Sequence, residues 1–324
     1  MKKFIIKLAI LLLPIYFVVN IYLDYSQKYM IKAFGPSTQM QIEYSFKNAL
    51  KSKYDCLILG NSRLYRGINP DKMSMPTYNF SHDNDSFNQC YYKMLYLEKH
   101  HKKYKYLILG VDYTEFSYLA DSRNYIYSKY FDKEYRNDFK KDKQNDIIPI
   151  FHIVDDKNFN QYMNDKFSRT VPILISNVFP KLHIQGNIEK NPGFIKENGQ
   201  FILEGKAHKN DTIDRVYKRL PIQVSYFRKI LNFADEHDIT VFLVMPPMRQ
   251  GELKNFDKKT KREHKEFIEN EIKNHKVYYI DYSESKYFKM EDYTDIAHLN
   301  SKAADRFTVM LDEYINKVLN NIYK

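Results

Sequence analysis

Four nearly continuous apolar runs constrain the fold of this chain more than any other feature. They are Cys56-Leu57-Ile58-Leu59-Gly60, Tyr106-Leu107-Ile108-Leu109-Gly110, Thr240-Val241-Phe242-Leu243-Val244-Met245 and Lys276-Val277-Tyr278-Tyr279-Ile280-Asp281. A strand with one wet face alternates apolar and polar residues, so runs without that alternation predict strands covered on both faces, as in a parallel sheet. A shorter run, Thr77-Tyr78-Asn79-Phe80, supplies a fifth strand. Between the runs, apolar residues recur at helical spacing: Phe87, Cys90, Tyr91, Met94, Leu95 and Leu97, then Phe227, Ile230, Leu231 and Ala234. A last helix, capped by Ser301, buries Ala304, Phe307, Leu311, Tyr314, Ile315 and Val318. Strands alternating with helices place the chain in the α/β class, around a five-stranded parallel sheet.

The alternation fades between about residues 118 and 220, a stretch rich in Asn, Lys, Asp and Tyr and broken by Pro149, Pro172, Pro180 and Pro192. So long a bare loop is not credible, which predicts a cap-like insertion with a turn at Glu197-Asn198-Gly199. At the N-terminus, Met1-Lys2-Lys3 precedes an apolar stretch from Phe4 to Leu23 that ends without a small-x-small cleavage site. Its length suits a bilayer, and the flanking lysines orient it with the rest of the chain outside the cytoplasm. The expected organisation is a cytoplasmic tip at 1–3, a transmembrane anchor at 4–23, a juxtamembrane linker and helix at 24–53, and a folded domain over 54–324.

Charge and cysteine usage narrow the function classes. The net charge is +11, yet the lysines and arginines are dispersed rather than gathered on one element, which argues against nucleic acid. A diffuse positive surface suits anionic membrane lipid or an acidic polymer. Two cysteines, Cys56 and Cys90, are too few for a disulfide framework, and neither has metal-ligand spacing. Each falls in an apolar stretch and reads as a buried thiol, with a single bridge between them the alternative. Nothing calls for a cofactor.

Two short segments carry chemistry. The first strand runs into Gly60-Asn61-Ser62-Arg63, which sets a serine at the carboxyl end of a parallel strand, beside the free N–H groups of a helix start. Near the other end lies Asp295-Ile296-Ala297-His298-Leu299-Asn300, between the last strand and the last helix. Three-residue spacing lets the Asp295 carboxylate reach a ring N–H of His298 and leaves the other ring nitrogen to take a serine proton.

With an Asn-containing block after the second strand and a Gly-containing block after the third, these segments resemble the SGNH/GDSL hydrolases over roughly 54–118 and 240–318. The chain is most similar to the membrane-anchored cell-surface members, which include polysaccharide O-acetyltransferases and relatives of the teichoic acid D-alanylation protein. The resemblance implies a three-layer α/β/α, flavodoxin-like fold and a triad of Ser62 as nucleophile, His298 as base and Asp295 as its orienter. It implies acyl transfer, through an acyl-Ser62 intermediate, to a cell-surface glycan or anionic polymer, with an integral-membrane acyl carrier as a further partner.

Oxyanion-hole candidates are Ser62, Ser81, Asn79 and Asp112, and substrate-contact candidates are Arg63, His82, Asn84 and Met248. Two departures stand out: Asn79-Phe80-Ser81 lacks the family's glycine, and Gly110-Val111-Asp112-Tyr113 has an acid where an asparagine is usual. An ionised Asp112 cannot donate to an oxyanion. An esterase of surface polymers and a degenerate glycan-binding or scaffold protein remain the alternatives.

Overall fold

Each of the five apolar runs forms a strand of one sheet. In the computed structural model, which describes residues 38–118, 123–140, 193–203, 205–208 and 217–322 with scattered positions between 2 and 18, these are β1 (Cys56–Leu59), β2 (Thr77–Asn79), β3 (Tyr106–Gly110), β6 (Thr240–Met245) and β7 (Val277–Asp281). Between β3 and β6 lie β4 (Gly193–Ile195) and β5 (Phe201–Leu203), which pair with each other as an antiparallel hairpin. The five strands are all parallel, in the order β2-β1-β3-β6-β7. After β1 the chain moves outward to β2 and then returns across β1 to β3. The carboxyl ends of β1 and β3 therefore flank the point where the winding reverses, the place where open parallel sheets form their clefts.

Side chains alternate across the sheet and build two cores. Leu57, Leu59, Leu107, Leu109, Val241 and Leu243 pack with Phe46, Met94, Leu97, Phe227, Ile230 and Leu231. Helices Thr38–Lys51, Phe87–Lys99 and Pro221–Glu236 thus cover one face. Cys56, Ile58, Ile108, Phe242, Val244 and Ile280 pack on the other with Leu64, Ala304, Phe307, Leu311 and Ile315. These come from helices Ser62–Gly67 and Ser301–Ile322. Each fully buried Leu, Ile or Phe contributes about 1.5–3 kcal/mol, which explains why strands this short hold together.

Several elements differ from expectation. The helix expected within 24–53 is Thr38–Lys51, but it buries Ile42, Phe46 and Ala49, and the compact unit made of 41–144 and 192–324 begins within it, so the domain starts before residue 54. The other unit, 1–40 with 145–191, is mostly outside the described residues. Asn300, not Ser301, caps the last helix, its Oδ1 accepting from Ala303 N at 2.9 Å. Helix Lys258–Glu271 gave no apolar stripe to read, since it buries only His264 and Ile268. Cys56 and Cys90 are buried free thiols.

Of the insertion, residues 141–192 lie outside the described residues. The predicted turn at 197–199 is the tip of the β4–β5 hairpin, with Gly199 at φ 89°. A Cβ on Gly199 would fall 1.9 Å from Asn79 O, and Asn79 N donates to Asn198 O at 3.0 Å. The turn therefore covers the carboxyl end of edge strand β2, and only glycine fits there. Among the described residues no helix is long and apolar enough to cross a membrane; the 4–23 stretch is described only at 4, 6–8, 10–15 and 18, as helix.

Candidate active site

Ser62 is the first residue of the helix that follows β1. Asn61 caps that helix, its Oδ1 accepting from Arg63 N at 2.9 Å, while its Nδ2 donates to Asp112 Oδ2 at 2.8 Å. The N–H of Ser62 has no hydrogen-bond partner among the described residues, as expected of the first turn of a helix. Buried Glu115 joins the carboxyl ends of the two central strands: Oε1 accepts from Asn61 N at 2.9 Å and Oε2 from Asp112 N at 3.0 Å. A Cβ on Gly110 would stand 2.6 Å from Glu115 Oε1, so the glycine makes room for this carboxyl group. Burial, followed by the charge of Asp112, pushes the Glu115 pKa well above the usual range.

Asp295 and His298 sit on a closed loop between β7 and the last helix. Its base is an antiparallel bridge between Tyr293 and Leu299 and a bond from Thr294 N to His298 O at 2.8 Å. Asp295 Oδ1 accepts from Ala297 N at 2.8 Å and His298 N at 3.0 Å, an Asx-type turn that fixes the carboxylate within its own loop. The ring then meets it, His298 Nδ1 lying 2.7 Å from Asp295 Oδ2. On the far side of the ring, Nε2 is 2.7 Å from Ser62 Oγ. The three side chains, 236 residues apart at their extremes, meet at the carboxyl edge of β1.

Their electrostatics suit a neutral base. Burial, the largest effect, lowers the His298 pKa; the Asp295 hydrogen bond raises it and the Arg66 guanidinium lowers it again. Burial works against the Asp295 carboxylate, but the hydrogen bonds from the His298 ring and from the loop N–H groups outweigh it and hold its pKa well below the usual range. With Nδ1–H donating to Asp295, Nε2 is free to accept the Ser62 proton.

Most of the other candidates have different roles. Asp112 is 1% exposed, and its oxygens accept from Asn61, from Thr114 N at 2.7 Å and from Glu115 N at 3.1 Å, with Arg63 Nε 3.0 Å away. Arg63 and these donors hold the Asp112 pKa low against the opposing effect of burial, so it is an acceptor and contributes nothing to an oxyanion hole.

Arg63 is not open to substrate either: it pairs with Asp112 and Glu252 and donates to Ala297 O at 2.9 Å. Asn79 Nδ2 is committed to Leu64 O and Ile68 O, and Asn79 Oδ1 accepts from Ser81 N at 3.1 Å. Ser81 Oγ is enclosed without a hydrogen-bond partner. The uncommitted donors among the four oxyanion candidates are thus the Ser62 N–H and the Ser81 hydroxyl.

His82 belongs to a buried network. Nε2 meets Ser45 Oγ at 2.5 Å, and Nδ1 meets Lys93 Nζ at 2.8 Å and Tyr127 OH at 3.1 Å. Lys93 also binds Phe80 O and Asp85 Oδ2, each at 2.5 Å, fixing the loop after β2. Burial, then the charges of Lys93 and Arg123, keeps the imidazole neutral; it is 1% exposed and enclosed by this network. Met248 closes a small apolar cluster with Tyr113, Met245 and Phe256. Asn84 alone of the substrate-contact candidates is exposed, at the turn of that loop with φ 58°.

Arg66 escaped the sequence reading. Arg66 Nη1 lies 3.0 Å from His298 Nδ1 and 3.7 Å from Asp295 Oδ2, while Nη2 donates to Asp83 Oδ1 at 2.9 Å. Its signal was the four-residue spacing from Ser62, one turn along the same helix face. Among the described residues no group of His, Cys, Asp or Glu could hold a metal ion.

A model of an uncharacterised protein family matches residues 194–320. That segment carries Asp295 and His298 but not Ser62. No curated protein matches the chain.

Proposed function

We propose that the chain is a serine acyltransferase of the SGNH/GDSL type, anchored in the membrane by residues 4–23, which moves an acyl group, in our reading acetyl, onto a cell-surface glycan. The observation that carries this reading is the pair of 2.7 Å contacts from the two nitrogens of His298 to Ser62 Oγ and to Asp295 Oδ2. An ordinary serine turn has no use for a buried imidazole whose far side is oriented by a carboxylate.

In the proposed reaction, Ser62 Oγ attacks the acyl carbonyl as its proton passes to His298 Nε2. The resulting oxyanion faces the Ser62 N–H. Collapse breaks the bond to the leaving oxygen, which takes the proton from His298, and leaves acyl-Ser62. An acceptor hydroxyl then gives its proton to Nε2, attacks the ester and regenerates Ser62. The apolar 4–23 stretch supports an extracytoplasmic site that an integral-membrane acyl carrier would supply.

Product mass spectrometry on the full-length protein, given an activated acetyl ester and mixed oligosaccharides, tests the proposal. Acetylated sugar that disappears with Ser62→Ala supports transfer. Serine-dependent acetate alone would make the protein an esterase, and no serine-dependent product would leave a binding or scaffold role.

A further inference from the structure

Beyond the three reacting side chains, the site holds two guanidinium groups that share one carboxylate. Asp83 Oδ1 accepts from Arg66 Nη2 at 2.9 Å, and Asp83 Oδ2 lies 3.6 Å from Arg123 Nη2. Arg66 and Arg123 are largely buried, with side chains 13% and 18% exposed. A guanidinium has five N–H donors in a fixed fork, and one carboxylate cannot satisfy two of them. Accordingly, Arg66 Nε and Arg123 Nη1 are enclosed without any hydrogen-bond partner.

Nor is Arg66 Nη1 better served. Its near neighbour, His298 Nδ1 at 3.0 Å, is itself a donor in the tautomer that lets Nε2 take a proton. Asp295 Oδ2, at 3.7 Å, is engaged with the imidazole. Once His298 is protonated, Asp295 and His298 neutralise each other, and the two arginines with Asp83 carry a net positive charge. Phe201 lies under the Arg66 guanidinium at 5.4 Å and stacks on Tyr65 at 5.2 Å, which fixes the plane of the fork.

We propose that Arg66 and Arg123 form a subsite for an acidic substituent, phosphate or carboxylate, whose oxygens compete with the partly exposed Asp83 for the two guanidinium forks. That the anion belongs to the acceptor polymer rests on the acyl-transfer reading; the anion site itself does not. Because Arg66 is one helical turn from Ser62, an acidic group held there brings a neighbouring hydroxyl of the same polymer toward the acyl-serine. The site would then select acidic acceptors over neutral ones.

Calorimetry on the full-length protein in detergent micelles tests this, with inorganic phosphate, glycerol 1-phosphate and glucuronate as probes and glycerol and glucose as neutral references. Saturable binding of an anion is expected, and of neither reference; whether glycerol 1-phosphate or glucuronate binds more tightly identifies the acidic group. Arg123→Leu should weaken the anion by roughly tenfold or more, with partial recovery in Arg123→Lys. Asp83→Asn, which removes the competing carboxylate, should tighten it. No saturable anion binding, equal affinity in Arg123→Leu, or weaker binding in Asp83→Asn overturns the proposal. Anion binding without serine-dependent product would count against acyl transfer alone, whereas serine-dependent product without anion binding would count against the subsite alone.

Discussion

Replacing Arg63 with methionine should destabilise the domain severely, because this side chain is the cation at the centre of a buried ion cluster. Its side chain is 4% exposed. It meets Asp112 through Nε at 3.0 Å, Glu252 through Nη2, and Ala297 O through Nη1 at 2.9 Å. Methionine keeps much of the aliphatic stem and removes all three interactions, taking the Arg63 charge away from two buried carboxylates. Breaking a buried pair from one side costs about 3–5 kcal/mol, a large share of the ~5–15 kcal/mol that holds a domain together. At about 2–4 °C per kcal/mol for a domain of this size, the melting temperature should fall by roughly 6–20 °C.

Acid should narrow the gap between the two proteins. In the native protein Asp112 has a lowered pKa, so it adds stability above its unfolded pKa, and that stability is lost as pH falls through the lower folded value. Without Arg63 the cost of burying the charge prevails and the Asp112 pKa rises. The variant is then destabilised at neutral pH and recovers as pH drops from the raised folded value toward the unfolded one. Urea titrations at several pH values measure this directly. A neutral-pH difference under about 1 kcal/mol, or one that does not change with pH, would refute the reasoning.

Other outcomes follow from the site. His298→Ala and Asp295→Asn should each lower serine-dependent turnover of an acetyl ester by about 10³–10⁴-fold with little change in thermal unfolding. Because burial and Arg66 lower the His298 pKa, the acid limb of kcat/KM should lie below the ordinary histidine value of about 6.5; Arg66→Gln should move that limb to higher pH in a full pH–rate profile. Gly110→Ala puts a Cβ 2.6 Å from Glu115 Oε1 and must displace the carboxyl group that joins β1 to β3. Chemical denaturation should report a loss of about 1–3 kcal/mol, accompanied by lower turnover.

What could be read from the sequence was local. Runs buried on both faces gave the five strands, and a strand leading into Gly60-Asn61-Ser62 fixed where the serine lies. Asp295 and His298 could be paired because their loop is self-contained, the carboxylate binding its own loop N–H groups and the ring three residues on. The misread residues depend on partners far away in the chain. Asp112 looked like a failed oxyanion donor because Arg63 and Asn61 reach it from about fifty residues earlier. His82 looked like a substrate contact because Ser45, Lys93 and Tyr127 come from three separate elements. Helix Lys258–Glu271 was missed for a different reason, since a mostly solvated helix has no apolar stripe to display.

The central claim is that Ser62 carries the acyl group. Intact-protein and peptide mass spectrometry after rapid acid quench of the full-length protein with an activated acetyl ester tests it most directly. One acetyl group on the Ser62 peptide is predicted, absent in Ser62→Ala and accumulating more slowly in His298→Ala. An unmodified Ser62 peptide under conditions in which the ester is consumed, or equal acetylation of Ser62→Ala, would contradict it.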